Sequence, residues 1–219
     1  VIVMLLPILF IYGACCGSLL VALASRYARG TSYFFPRSHC DTCQTPLAYW
    51  QLVPVASYLL VRGKCQTCAA IIPPITFLLE VGAGLIATTV ATPFSLRVVL
   101  WLGLWTFAAL CDAQCQTFPG WVSWLAMGLV LMTHPLSVWL VGGSLFALIR
   151  WLWPRWSQPT IGDGDLDMFL SYTLLWGLNA TAHWLLLACG LALSRARCGE
   201  RLAFLPYLVV SAVAWWLIR

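Results

Sequence analysis

Charge is scarce in this chain. Of its 219 residues only 9% are Asp, Glu, Lys or Arg, whereas a soluble domain carries about a quarter. That deficit excludes a water-soluble globule of this length. Seven acids in all are too few to serve as a solubilising coat. No Gly-rich strand–helix element of the Rossmann type is present. There is no low-complexity tail and no obvious internal repeat. The apolar N-terminus has no basic stretch before it and is followed by a basic loop instead of a cleavage site, so it reads as a first membrane span and not as a removable signal.

What is abundant is apolar. Hydrophobic residues make up 62% of the chain, with thirteen Trp, a residue enriched at membrane interfaces. A crossing helix needs about 17 to 25 mostly apolar residues. The pattern predicts an all-α polytopic membrane protein with about eight transmembrane helices: 1–25, 74–92, 95–113, 119–133, 136–153, 166–179, 181–194 and 202–218. The sixth and seventh are short for a full crossing. Breakers mark the joints at Thr92-Pro93, Phe118-Pro119-Gly120, His134-Pro135 and Trp153-Pro154. Three regions follow: a first helix (1–25), a polar loop (26–73) and a helical bundle (74–219). With the N-terminus outside, Arg26, Arg29, Arg37, Arg62, Lys64, Arg150, Arg155, Arg195, Arg197 and Arg201 fall in inner loops, and only Arg97 and Arg219 fall outside. Cytoplasmic loops collect Lys and Arg, so the net charge of +5 is accounted for by topology and by attraction to the bilayer. No nucleic-acid partner is needed to explain it.

The acids then fall at inner helix ends. Asp112 closes the third predicted span. IGDGDLDMF places Asp163, Asp165 and Asp167 at the start of the sixth. Carboxylates in a membrane are costly and read as functional by default. The bland alternative is that Asp163 caps the helix and Asp165 favours its positive end. That alternative does not reach Asp112, which sits at a helix C-terminus where the dipole disfavours an anion.

The 26–73 loop carries CDTC (Cys40, Cys43) and CQTC (Cys65, Cys68), a spacing close to that of a zinc ribbon. Four thiolates on two knuckles suit one tetrahedral zinc, with a redox pair as the alternative. A loop this short and this poor in core residues needs such a staple. Cys15 and Cys16 in the first span, and Cys189 in the seventh, read as small buried hydrophobes. Cys111 and Cys115 flank Asp112 four apart, and Cys198 reads as a free loop thiol. His134 and His183 fall at outer loop edges.

In this order and topology the pieces resemble the type IV prepilin peptidases, bifunctional leader peptidases and N-methyltransferases. GACCGS resembles the element that ends the family's first span. HCDTCQTPLAYWQLVPVASYLLVRGKCQTC resembles its cytoplasmic cysteine box, and IIPPITFLLE its second span with the acid Glu80. CDAQCQTFPGW resembles the first aspartate motif, and Gly162, Gly164 and Asp165 match G-x-G-D. The chain departs from the family pattern in having Gly120 after Pro119 and Asp167 where a Lys is usual. It also lacks an Arg before Glu80 and an Asn in the first-span element.

The resemblance implies a membrane aspartyl endopeptidase of the bacterial inner membrane. Asp112 and Asp165 would be its catalytic pair on the cytoplasmic side, removing the basic leader of type IV prepilins or pseudopilins. It further implies methylation of the new N-terminus from S-adenosylmethionine, with Glu80 a candidate contributor. Two carboxylates brought close share a proton, so one can act as base and the other as acid. Glycines at 162 and 164 let a substrate strand approach without a Cβ in the way. Asp163 and Asp167 are candidates for attracting the leader. Three other readings stand beside this one. They are a catalytically silent zinc-stapled scaffold, a presenilin-like protease, which pairs G-x-G-D with a Tyr-Asp motif, and a quinone-linked thiol oxidoreductase.

Overall fold

The computed structural model describes residues 2–35, 37–155, 162–195 and 202–218. Arg197, Cys198, Arg201 and Arg219 lie outside the described residues. Among those described, all regular structure is helical apart from two isolated β-bridges. Three helices are long and apolar enough to cross a membrane, and four more are apolar but shorter. The chain divides into two compact units, Val1–Ser95 and Leu96–Arg219.

In the first unit, α1 (Ile2–Ala28) packs along α3 (Pro74–Thr88). The contact is close because glycine lines it. A Cβ on Gly13 would lie 2.4 Å from the Ala83 carbonyl oxygen, and one on Gly17 would lie 2.8 Å from that of Leu79. Gly13 and Gly17 are thus a small-xxx-small pair, the usual device for bringing membrane helices to backbone contact. Cys15 and Cys16, between them in sequence, are exposed, as is Cys189. The expectation of burial was wrong for these three, since small apolar residues can also face lipid. The loop between α1 and α3 holds a 3₁₀ turn (Tyr49–Leu52) and the short helix α2 (Ala56–Leu60), whose Tyr58 stacks on Phe77 of α3 at 5.0 Å.

The second unit is built from α4 (Pro93–Cys115), α5 (Trp121–Leu131), α6 (Leu136–Leu152), α7 (Asp163–Arg195) and α8 (Leu205–Ile218). A straight helix of 33 residues would run about 50 Å, well beyond the hydrocarbon thickness of about 30 Å. α7 is not straight. Gly177 has φ 79° and ψ 167°, a region open essentially to Gly alone, and the chain folds back there. Thr181 Oγ1 reaches Thr173 Oγ1 at 3.3 Å, and the Tyr172 and Trp184 rings stack with centroids 4.1 Å apart. Residues twelve apart on a continuous helix would be about 18 Å apart. The two arms, 163–176 and 178–195, correspond to the two short spans expected at 166–179 and 181–194. Trp184 Nε1 then donates to the Leu208 carbonyl and ties the second arm to α8.

α5 is shorter than the expected 119–133. Pro119 bounds its start, and turns at Thr133 and His134 end it. Its face of Met127 and Leu131 forms an apolar seam with Phe146 of α6 and with Leu170 and Leu174 of α7. A second core is aromatic. Trp101 and Trp105 of α4 are fully buried, and Trp101 contacts Tyr172.

Candidate active site and metal centre

Asp112 lies in the last turn of α4, and Asp165 in the first turn of α7. The two share one cavity of about 280 Å³, together with Phe118, Gly162, Gly164 and Leu205. Three local features bring them there. Phe118, just beyond α4, packs on Gly164, where a Cβ would lie 2.3 Å from the ring. Gly162 leaves room for the Asp165 carboxylate, which a Cβ would crowd at 3.3 Å. Leu205, the first residue of α8, lines the cavity beside Asp112. Asp112 therefore ends one helix and sits at the N-terminus of another, where a helix favours an anion. This resolves the misfit with its own helix dipole. Both carboxylates are half-buried within the shared cavity.

Asp163 is exposed at the cavity wall. Asp167 is not. It is 1% exposed and ion-paired through Oδ2 with Nη1 of Arg150, near the end of α6. The reading of Asp167 as an exposed lure for a basic leader is corrected: two residues on from Asp165, it points about 200° around the helix, away from the cavity and into the bundle.

The four loop cysteines converge. Cys40 and Cys68 have Sγ atoms 3.8 Å apart, Cys43 and Cys65 3.9 Å apart, and all four lie within 4.8 Å of one another. The set is able to hold one metal ion. The two knuckles are copies of one local fold. In each, the first cysteine's N–H bonds five residues on (Cys40 to Thr45, Cys65 to Ala70), and its carbonyl accepts from four residues on (Gln44, Ala69). Gln44 and Ala69 occupy the same positive φ, 58° and 56°, and bridges His39–Pro46 and Lys64–Ile71 close the two turns. His39 bonds through Nδ1 to the Arg37 carbonyl and is not one of the clustered ligands. The Thr45 hydroxyl beside the Cys43 sulfur lowers that thiol to about 6, which favours the thiolate that a metal requires.

Residues 11–94 match the family model described as the bacterial peptidase A24 N-terminal domain. A protein of Neisseria gonorrhoeae named prepilin leader peptidase/N-methyltransferase is 27% identical over 216 residues, covering 83% of this chain and 76% of the relative. Proteins of the same name from Pseudomonas putida (28% identical; 82% of this chain, 72% of the relative) and Bacillus subtilis (24%; 81% and 76%) also match. Over most of its length the chain is thus similar to prepilin leader peptidases/N-methyltransferases, and its N-terminal part matches the peptidase A24 domain. No solved structure matches it.

Glu80, the acid in α3, is 5% exposed, and its Oε2 accepts the Val55 N–H at 2.7 Å. Val55 has φ 62° and ψ −56°, and the next N–H, that of Ala56, returns to the Pro54 carbonyl at 2.6 Å. This is the strained γ-turn, held in a β-branched residue by a buried carboxylate. His134 Nε2 lies 3.1 Å from the Leu174 carbonyl, and His183 Nδ1 lies 2.8 Å from that of Asn179. Both are structural contacts away from the aspartates. Cys115 Sγ bonds to the Cys111 carbonyl and joins no metal cluster among the described residues.

Sequence reasoning missed three contributors: Arg150, Phe118 and Leu205. Phe118 alone had a readable signal, an aromatic beside a helix-breaking Pro-Gly shortly after a membrane aspartate.

Proposed function

We propose that this chain is a membrane aspartyl endopeptidase of the bacterial inner membrane. It removes the basic leader of type IV prepilins or pseudopilins at the cytoplasmic face, and it methylates the exposed N-terminus. The observation that carries this is the meeting of Asp112 and Asp165, from helices remote in sequence, in one water-accessible cavity. The names of the relatives supply the substrate class.

In the mechanism, one carboxylate is ionised and takes a proton from water as that water attacks the scissile carbonyl. The other, neutral, donates to the carbonyl oxygen. The apparent titrations belong to the pair, and the roles exchange with the shared proton. Gly162 and Gly164 keep the wall beside Asp165 free of side chains, so an extended peptide can lie against it. Asp163, exposed at that wall, offers negative charge to the Lys and Arg of a leader.

Zinc is the metal we assign to the cysteine cluster. Sulfurs around a tetrahedral zinc with bonds of about 2.3 Å sit about 3.8 Å apart, and the closest Sγ pairs, at 3.8 and 3.9 Å, support that match. Zinc bound there would staple the loop. S-adenosylmethionine is the methyl donor implied by the relatives' names. Glu80 remains a candidate contributor to methyl transfer, through the loop conformation it holds.

The test is co-expression with a prepilin, reading the intact mass of the product. Leader loss and an added methyl group then appear as separate mass changes. Asp112→Asn and Asp165→Asn are each expected to leave the precursor uncut while the protein still inserts. Trimming at near the parental rate by either variant would overturn the assignment of the pair.

A further inference from the structure

Arg150 and Asp167 have no part in the mechanism above, yet they abut it. Arg150 is the one basic side chain on the wall of the aspartate cavity among the described residues, and it also lines a smaller pocket with Trp153, Asp163 and Leu166. Its Nη1 is bound to buried Asp167, while Nη2 reaches toward Gly120, 3.5 Å from where a Cβ would stand. Asp167 Oδ1 and the neighbouring Ser123 hydroxyl are buried as well.

The placement follows from the helix faces. Ser123 is one turn before Met127 on α5, Arg150 one turn after Phe146 on α6, and Asp167 one turn before Leu170 on α7. Each polar residue therefore continues its helix's contribution to the apolar seam of Met127, Leu131, Phe146, Leu170 and Leu174. The seam ends in a charged pair at the level of the cavity. The first turn of α7 is thereby held from two directions. Phe118 bears on it at Gly164, and Arg150 grips it at Asp167. Asp165 lies between these two anchors and projects into the cavity.

We infer that the Arg150–Asp167 pair is a positioning device, fixing the rotation of α7 about its axis so that Asp165 faces Asp112. At 100° per residue, a small roll of this turn carries the Asp165 carboxylate out of the shared cavity. An apolar contact at position 167 permits such a roll. A buried ion pair with one geometry forbids it, because any roll strands a charge. Neither residue touches the reacting atoms, and both act through Asp165.

This inference rests on the peptidase reading, so the assay first requires that the parental protein cleaves a prepilin in detergent or proteoliposomes. If it does not, the peptidase reading fails on its own account. Two double variants then decide the inference, with kcat, KM and thermal stability measured for each. The apolar replacement Arg150→Met with Asp167→Leu removes the pair without stranding a charge, and is expected to stay folded while kcat falls about 100-fold and KM moves less than about threefold. The reversed pair, Arg150→Asp with Asp167→Arg, is expected to recover at least about tenfold of the kcat lost by Asp167→Arg alone. A folded apolar double variant with parental kcat overturns the inference. So does a loss lying wholly in KM, or a reversed pair no better than the single variant. Should the apolar variant fail to fold, the reversed pair carries the decision alone. Should neither double variant fold, Arg150→Lys decides. It keeps the charge but loses the fixed fork of the guanidinium, and kcat is expected to fall with thermal stability near parental. Unchanged kcat in Arg150→Lys overturns the inference.

Discussion

The Phe118 ring occupies the space that any side chain at position 164 would need, with a Cβ on Gly164 placed 2.3 Å from it. The second glycine of G-x-G-D is therefore a packing requirement between the α4–α5 connection and α7. Gly164→Ala should push these apart, costing about 1 to 3 kcal/mol by overpacking, and should lower cleavage far more than stability. The check is kcat together with a thermal melt. Adding Phe118→Leu in the same chain should restore part of the activity, because it makes room for the methyl group.

The cysteine cluster should carry one zinc per chain. Cys→Ser at position 40, 43, 65 or 68, or treatment with a chelator, should raise protease sensitivity within 26–73 while leaving the α7 arms protected, since binding energy at such a site is folding energy. Metal analysis of purified protein and limited proteolysis with mass mapping read this out. A metal-free loop indifferent to chelator would exclude the staple.

Asp163→Asn should raise KM for a leader rich in Lys and Arg at low ionic strength and leave kcat unchanged. The difference from the parental enzyme should shrink in salt, because exposed charges are screened over about 10 Å at 0.1 M. A KM that does not respond to the substitution at low salt would remove Asp163 from leader recognition and leave Asp165 untouched.

Gly177 has open space where a Cβ would stand, so its requirement is one of backbone alone. Gly177→Val should cost about 1 to 3 kcal/mol through the disallowed conformation, without a steric clash. The cost should appear as a lower melting temperature and as loss of the Tyr172–Trp184 stack, visible in near-ultraviolet circular dichroism.

Much of this was legible in the residues. The Asp112 and Asp165 motifs, the knuckle spacing and the two short spans now seen as arms of α7 all depend on local pattern, which the sequence carries directly. The role of Asp167 was not legible, because its partner comes from the far end of α6 and only packing reveals the pair. From sequence, three acids in a row look alike. In the fold, one faces the cavity, one stays exposed at its wall and one is buried. Asp112 looked misplaced by its own helix dipole, because the favourable N-terminus belongs to α8, much later in the chain. Burial of Cys15 and Cys16 was misjudged for a reason peculiar to membranes, where the exterior of a span is as apolar as its interior.

The fold at Gly177 also sets where α8 can begin. An unbent α7 would end about 50 Å from Asp163, and the chain leading to α8 would start from there. The reversal brings Leu205, the first residue of α8, to the same cavity as Asp163 and Asp112. One residue thus decides whether the start of α7 and the start of α8 meet or part. A change that straightened it would strip the cavity around Asp112 and Asp165 of the wall that Leu205 supplies.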